Sequence, residues 1–138
     1  MRTISDHLKQ QFKAAHQNKA QKNQEFSGVI EDKLKDYHGW SITALYYAAL
    51  HYVDAYRIQA NDSSYYHANP TRRQKSRLEA LDKYPPLWPI KPFYIRLKTA
   101  SEQARYQPTD LFDAVRVETL RQKLFEPIRE TITKLLTN

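Results

Sequence analysis

The residues with the most chemistry to offer lie in one loop, YYHANPTRR, which sets Tyr65, Tyr66 and His67 just ahead of Arg72 and Arg73. A histidine moves protons near neutral pH, and an arginine holds phosphate oxygens through forked hydrogen bonds. Asn69 followed by Pro70 reads as a helix cap and a first-turn proline, so the arginines open a helix. Its first backbone N–H groups add donors for an anion. Those are the parts needed to position an RNA phosphate and to cleave beside it through the neighbouring 2′-hydroxyl. The basic helix that follows carries Arg72, Arg73, Lys75 and Arg77, and with Tyr66 it forms the expected nucleic-acid surface. The competing reading is a solvated loop leading into a surface helix.

A second basic group, Arg105, falls in the segment SEQARY at residues 101–106. At a helix end the negative terminus favours a cation, so Arg105 either caps carbonyls or pairs with an acid. If it faces the same cleft as the loop, the catalytic set is His67, Arg72 and Arg105. His51 sits on a core-facing stripe and reads as a hydrogen-bonded interior histidine. A cleft lined by Tyr46, Tyr47, Tyr52 and His51 would suit a nucleotide or small ligand, although helix packing explains those residues more simply. No metal or other cofactor is expected. The five histidines (His7, His16, His38, His51 and His67) form no i,i+4 pair and no H-E-x-x-H. Glu-x-x-His units, a glycine-rich phosphate loop and a G-x-S-x-G elbow are all missing.

The element that must position these groups is the stretch 40–58, WSITALYYAALHYVDAYRI. It has helix formers, no Gly or Pro, and a single charge pair, Asp54 and Arg57. Its large groups fall on two faces, and a helix apolar nearly all round belongs in the centre of a bundle. Its four tyrosines, Thr43, His51 and Asp54 argue against a membrane span. Before it, Ser5 caps a first helix whose expected inner stripe is Leu8, Phe12, Ala15, Lys19, Phe26 and Ile30. Gly28 costs that helix some stability unless it admits a close approach to the central one. After it come a polar loop (59–71) and a short basic helix stopped by Pro85 and Pro86. A corner around Trp88 leads to a helix burying Tyr94, Leu97, Ser101 and Ala104. The last helix uses Val117, Leu120, Leu124, Ile128, Ile132 and Leu135, with Pro127 expected to kink it.

Residues 1–138 therefore read as one all-α domain, a four- to five-helix up-and-down bundle. The chain has only two glycines and no cysteine, which excludes disulfides, zinc–thiolate sites and thiol catalysis, and suits a reducing cytoplasm. The expected location is cytoplasmic, with no membrane segment. A formal charge of +7 favours polyanionic partners.

The order WSITALYYAALHYVDAY, SSYYHANPTRR, SEQARY resembles the HEPN-type domains, an all-α family of prokaryotes and higher eukaryotes. The likeness runs from about Ala15 to Leu136 and is strongest to an uncharacterised prokaryotic branch with a similar second helix. It implies a helical bundle, a homodimer, an association with RNA, and in many members metal-independent ribonuclease activity within toxin–antitoxin or defence systems. An antitoxin-type protein is then a further expected partner. The family's catalytic pattern is an arginine followed by a histidine with four to six residues between them. Here that spacing occurs only from Arg2 to His7, while His67 precedes Arg72, so the order is reversed. Enzymatic activity is left open on that ground, with a non-catalytic helical dimerisation or protein-interaction module as the alternative.

Overall fold

The structure, a computed structural model, describes residues 5–34, 36–67, 70–107 and 112–137, excluding the side chains at 67, 70, 71, 73 and 74. The described residues are helical almost throughout and contain no strand. The helices are α1 (Asp6–Lys33), α2 (His38–Gln59), α3 (Ser63–His67), α4 (Pro70–Lys83), α5 (Lys91–Tyr106), α6 (Ala114–Leu120) and α7 (Glu126–Leu136). A 3-10 turn, Pro85–Ile90, bridges α4 and α5, and a π-helical turn, Arg121–Phe125, fuses α6 to α7 into one rod.

The central helix is where the sequence puts it. All of α2 from Ser41 to Ile58 is buried except Tyr47 and His51. The pairs Ser27–Ser41 and His16–His51 run α1 antiparallel to α2, and Tyr46–Tyr94 with Gly39 against Ala104 does the same for α5. Tyr52 on Phe125 and Gln59 on the Leu135 carbonyl set α7 parallel to α2. Four long rods thus alternate in direction, with α3 and α4 folded across one end. Leu45, Leu87, Leu97, Phe125 and Ile128 fill the centre, each such side chain contributing about 1.5–3 kcal/mol on burial.

Several local expectations hold. Ser5 caps α1 by accepting from the Leu8 N–H at 3.2 Å, and Pro70 opens α4. Asn69 as a cap lies outside the described residues. Others are corrected. The stretch 59–71 is not only loop, since α3 forms within it. Of the stripe expected to face inward on α1, only Ile30 is buried, and Leu8, Phe12 and Phe26 are exposed. The inner face is instead Lys13, His16, Ala20, Asn23, Ser27 and Ile30, alternating by three and four residues. Its partners on α2 are polar: the Ser27 and Ser41 hydroxyls lie 2.6 Å apart, and Lys13 donates to Gln59 at 3.1 Å. Gly28 makes no close approach, because a Cβ there would meet nothing within 4 Å. The break before Pro127 takes the form of the π turn, in which the Glu126 N–H reaches back five residues to the Arg121 carbonyl.

The end of α2 has the geometry that builds the site. Asn61 adopts a left-handed conformation (φ 58°). The Asn61 N–H bonds the Ile58 carbonyl at 3.1 Å, and the Asp62 N–H bonds that of Arg57 at 2.9 Å. This is a Schellman stop with asparagine in place of glycine. It turns the chain back so that the Asp62 carboxylate faces the Arg57 guanidinium.

Candidate functional site

Arg57 is 1% exposed, and a buried guanidinium must have its donors satisfied. It donates to Asp54 at 3.1 Å, Asp62 at 2.9 Å, Ser64 at 3.1 Å and Ser76 at 3.0 Å. Asp54 in turn accepts a two-pronged contact from Arg77, with Nη2 at 2.9 Å and Nε at 3.1 Å. Burial acts to raise the Asp62 pKa, but hydrogen bonds from Arg57 and Ser64 outweigh it and hold the carboxyl below its ordinary value. This network ties α2 to α3 and α4.

One residue beyond Ser64, α3 delivers Tyr65. Its hydroxyl lies 2.6 Å from His16 Nε2, and the other ring nitrogen of His16, Nδ1, lies 2.9 Å from His51 Nδ1. The imidazole rings are 5.2 Å apart at 30°, and the Tyr65 ring meets His16 edge-on. A cavity of about 350 Å³ opens over this row, lined by Phe12, His16, Lys19, His51, Asp54, Arg57, Tyr65, Tyr66 and Arg77. Burial lowers the His51 pKa to about 4, helped by His16, Lys19 and Arg77 and opposed by Asp54. His16 is lowered as well, again chiefly by burial. Both rings are therefore neutral at pH 7. A short nitrogen–nitrogen contact between neutral imidazoles is a hydrogen bond in which one Nδ1–H donates and the other Nδ1 accepts.

His16, His51 and Asp54 bring ligand atoms within 4.8 Å of one another, a separation that suits a bound cation. The charges around them oppose one. Both Asp54 oxygens are engaged by guanidinium groups, and Lys19 faces the same space. Counted together, Lys19, Arg57 and Arg77 stand against Asp54 and Asp62, leaving one positive charge in excess. The pocket suits a singly charged anion better than a metal.

The residues expected from sequence fall in different places. Tyr66 and Arg77 line the cavity, Arg77 with its guanidinium committed to Asp54. Arg72 and Lys75 are exposed on α4. The side chains of His67 and Arg73 lie outside the described residues. Arg105 does not line this cavity; it donates to the Tyr47 hydroxyl at 3.0 Å and stacks against Tyr47 and Tyr106. The small-ligand cleft of Tyr46, Tyr47, Tyr52 and His51 is not assembled, since Tyr46 packs on Tyr94 in the core and Tyr52 points to Phe125. Sequence reasoning missed His16 and Lys19. The available signal was the polarity of α1 at spacings that a buried face requires.

No protein-family model, no curated protein and no solved structure matches the chain.

Proposed function

We propose that the protein is a HEPN-like RNA-binding protein that cleaves RNA without a metal, with His16 and His51 as its acid–base pair. The observation that carries this reading is the 2.9 Å contact between two imidazoles at the base of a cationic pocket. Cleavage through a 2′-hydroxyl needs a base to take that proton and an acid to protonate the departing 5′-oxygen. A neutral pair supplies only the base. A phosphodiester entering the pocket brings the missing charge: an anion beside the imidazoles favours the protonated form and raises their pKa values. One proton taken up on binding makes an imidazolium–imidazole pair, which is one acid and one base. The 2′-oxygen then bonds to phosphorus as the bond to the 5′-oxygen breaks, leaving a cyclic phosphate and a 5′-hydroxyl. Lys19 and Arg77 offset charge on the phosphate oxygens.

The resemblance in α2, the all-α bundle and the charge of +7 support the same reading. On it, a homodimer, an antitoxin-type partner and a defence setting follow as part of the proposal. Exposed Val29, Leu34 and Tyr37 favour the second reading, a non-catalytic interaction module. Incubating pure protein with mixed RNA, with and without chelator, separates the two. Cleavage is expected to persist in chelator and to disappear in His16→Ala and in His51→Ala while circular dichroism stays helical. Cleavage that survives both substitutions, or that chelator removes, overturns this assignment. His67→Ala measures whether the loop histidine contributes as well.

A further inference from the structure

A helix at the centre of a bundle should show no rings to solvent, yet α2 shows several. From Trp40 up to its last residue, the side chains that reach solvent are Trp40, Tyr47 and His51. They are seven and four residues apart, so they lie in one file along a single face, spanning roughly 16 Å from Trp40 to His51. Trp40 is 59% exposed. On the α5 side, Arg105 stacks between Tyr47 at 5.8 Å and Tyr106 at 5.4 Å. On the α1 side, Phe12, Lys19 and Phe26 recur at seven-residue intervals. The first two line the imidazole pocket, and Phe26 continues their file toward the Trp40 end. The file of rings on α2 thus ends at the pocket, where His51 lines it, with Arg105 beside Tyr47 and Lys19 beside His51.

We propose that this file and the pocket together form one groove, a track for single-stranded RNA, with bases stacked on Trp40 and Tyr47 and a phosphate led to His16 and His51. The proposal rests on the RNA reading above and adds the substrate class and its path. Exposed rings in file offer every base a flat partner, and Arg105 and Lys19 give the backbone its counter-charge. A paired duplex has its base faces already covered and gains nothing from such a floor. Charge also argues against a second copy of this chain as occupant, because each copy carries +7 and would bring like charge to the groove.

The test is binding of a labelled twelve-residue oligothymidylate, which has no 2′-hydroxyl to cleave, beside an RNA hairpin with a fully paired stem. In a Trp88→Phe background, binding of the single strand should quench the remaining Trp40 fluorescence. Trp40→Ala and Tyr47→Leu should each weaken that affinity by about 5- to 150-fold, leave its salt dependence unchanged, and keep the helical content. Unchanged affinity in both variants, tighter binding of the paired stem, or loss of a dimer on gel filtration without loss of oligonucleotide binding each overturns the track. Oligothymidylate binding and quenching without any RNA cleavage upholds the track and removes only the catalytic role of the imidazoles. RNA cleavage with an unchanged KM in both variants does the reverse.

Discussion

Mild acid should loosen this protein through His51. In an unfolded chain that ring has its ordinary pKa of 6.5, whereas folded it titrates near 4. Between those values the unfolded chain holds a proton that the folded one refuses, so the stability contributed by the neutral ring is complete above pH 6.5. It is lost as pH falls toward 4. The full interval of two and a half pH units corresponds to about 3.4 kcal/mol at about 1.36 kcal/mol per unit. Solvent at the half-buried ring screens part of this, leaving about 1–2 kcal/mol. Urea unfolding followed by circular dichroism at pH 7.5, 6.5, 5.5 and 4.5 reads the effect directly. His51→Gln retains an amide for the His16 Nδ1 contact and removes one titrating group, so its stability should fall less over the same range. An identical pH slope in His51→Gln, or a wild-type protein that gains stability on acidification, would refute the reasoning. Oligonucleotide binding should push the wild-type loss to lower pH, because the bound phosphate stabilises the protonated ring.

Two further substitutions probe the frame around the site. Asp54→Ala removes a carboxylate shared by Arg57 and Arg77 and leaves a guanidinium that is 1% exposed short of a partner. A loss of about 3–5 kcal/mol is expected in urea unfolding, and a change under about 1 kcal/mol would mean that Asp62 alone compensates the charge. Gly28→Ala meets nothing within 4 Å and sits inside α1, so it should stabilise by about 0.5–1 kcal/mol. A lower melting temperature would show that α1 needs the flexibility there.

The bundle was legible because α2 is apolar nearly all round and because α5 and the rod of α6 and α7 carry conventional stripes. Pro127 announced the break that became the π turn, since its ring excludes the carbonyl four residues back. The register of α1 was not legible. Leu8, Phe12 and Phe26 are spaced as an inner stripe, and an apolar count assigns them inward. The face that packs is polar, and its reason is supplied by another helix: Ser27 needs Ser41, and His16 needs His51, 35 residues away. The same gap hid the site. The stripe of its own helix assigned His51 to the interior, whereas the ring is half-buried at the pocket, and nothing local to it announces a second imidazole. Asp54 and Arg57 were visible as a pair, whereas Asp62 and Arg77 close the network only once Asn61 has turned the chain.

That network is an odd choice if stability alone is at stake. Apolar groups of the same volume would fill the space without the cost of stripping water from four charges. What apolar groups lack is direction. Arg57 donates along four fixed lines, to a carboxylate on its own helix, to the residue after the helix stop, to α3 and to α4. Those lines set where Ser64 lies, and the next residue, Tyr65, reaches His16 at 2.6 Å. A slide of α3 by a fraction of a turn would break that contact and release His16 from its orientation toward His51. Asp54, Arg57 and Asp62 are therefore positioning residues. They fix the line from Tyr65 through His16 to His51 on which the proposed acid–base pair depends.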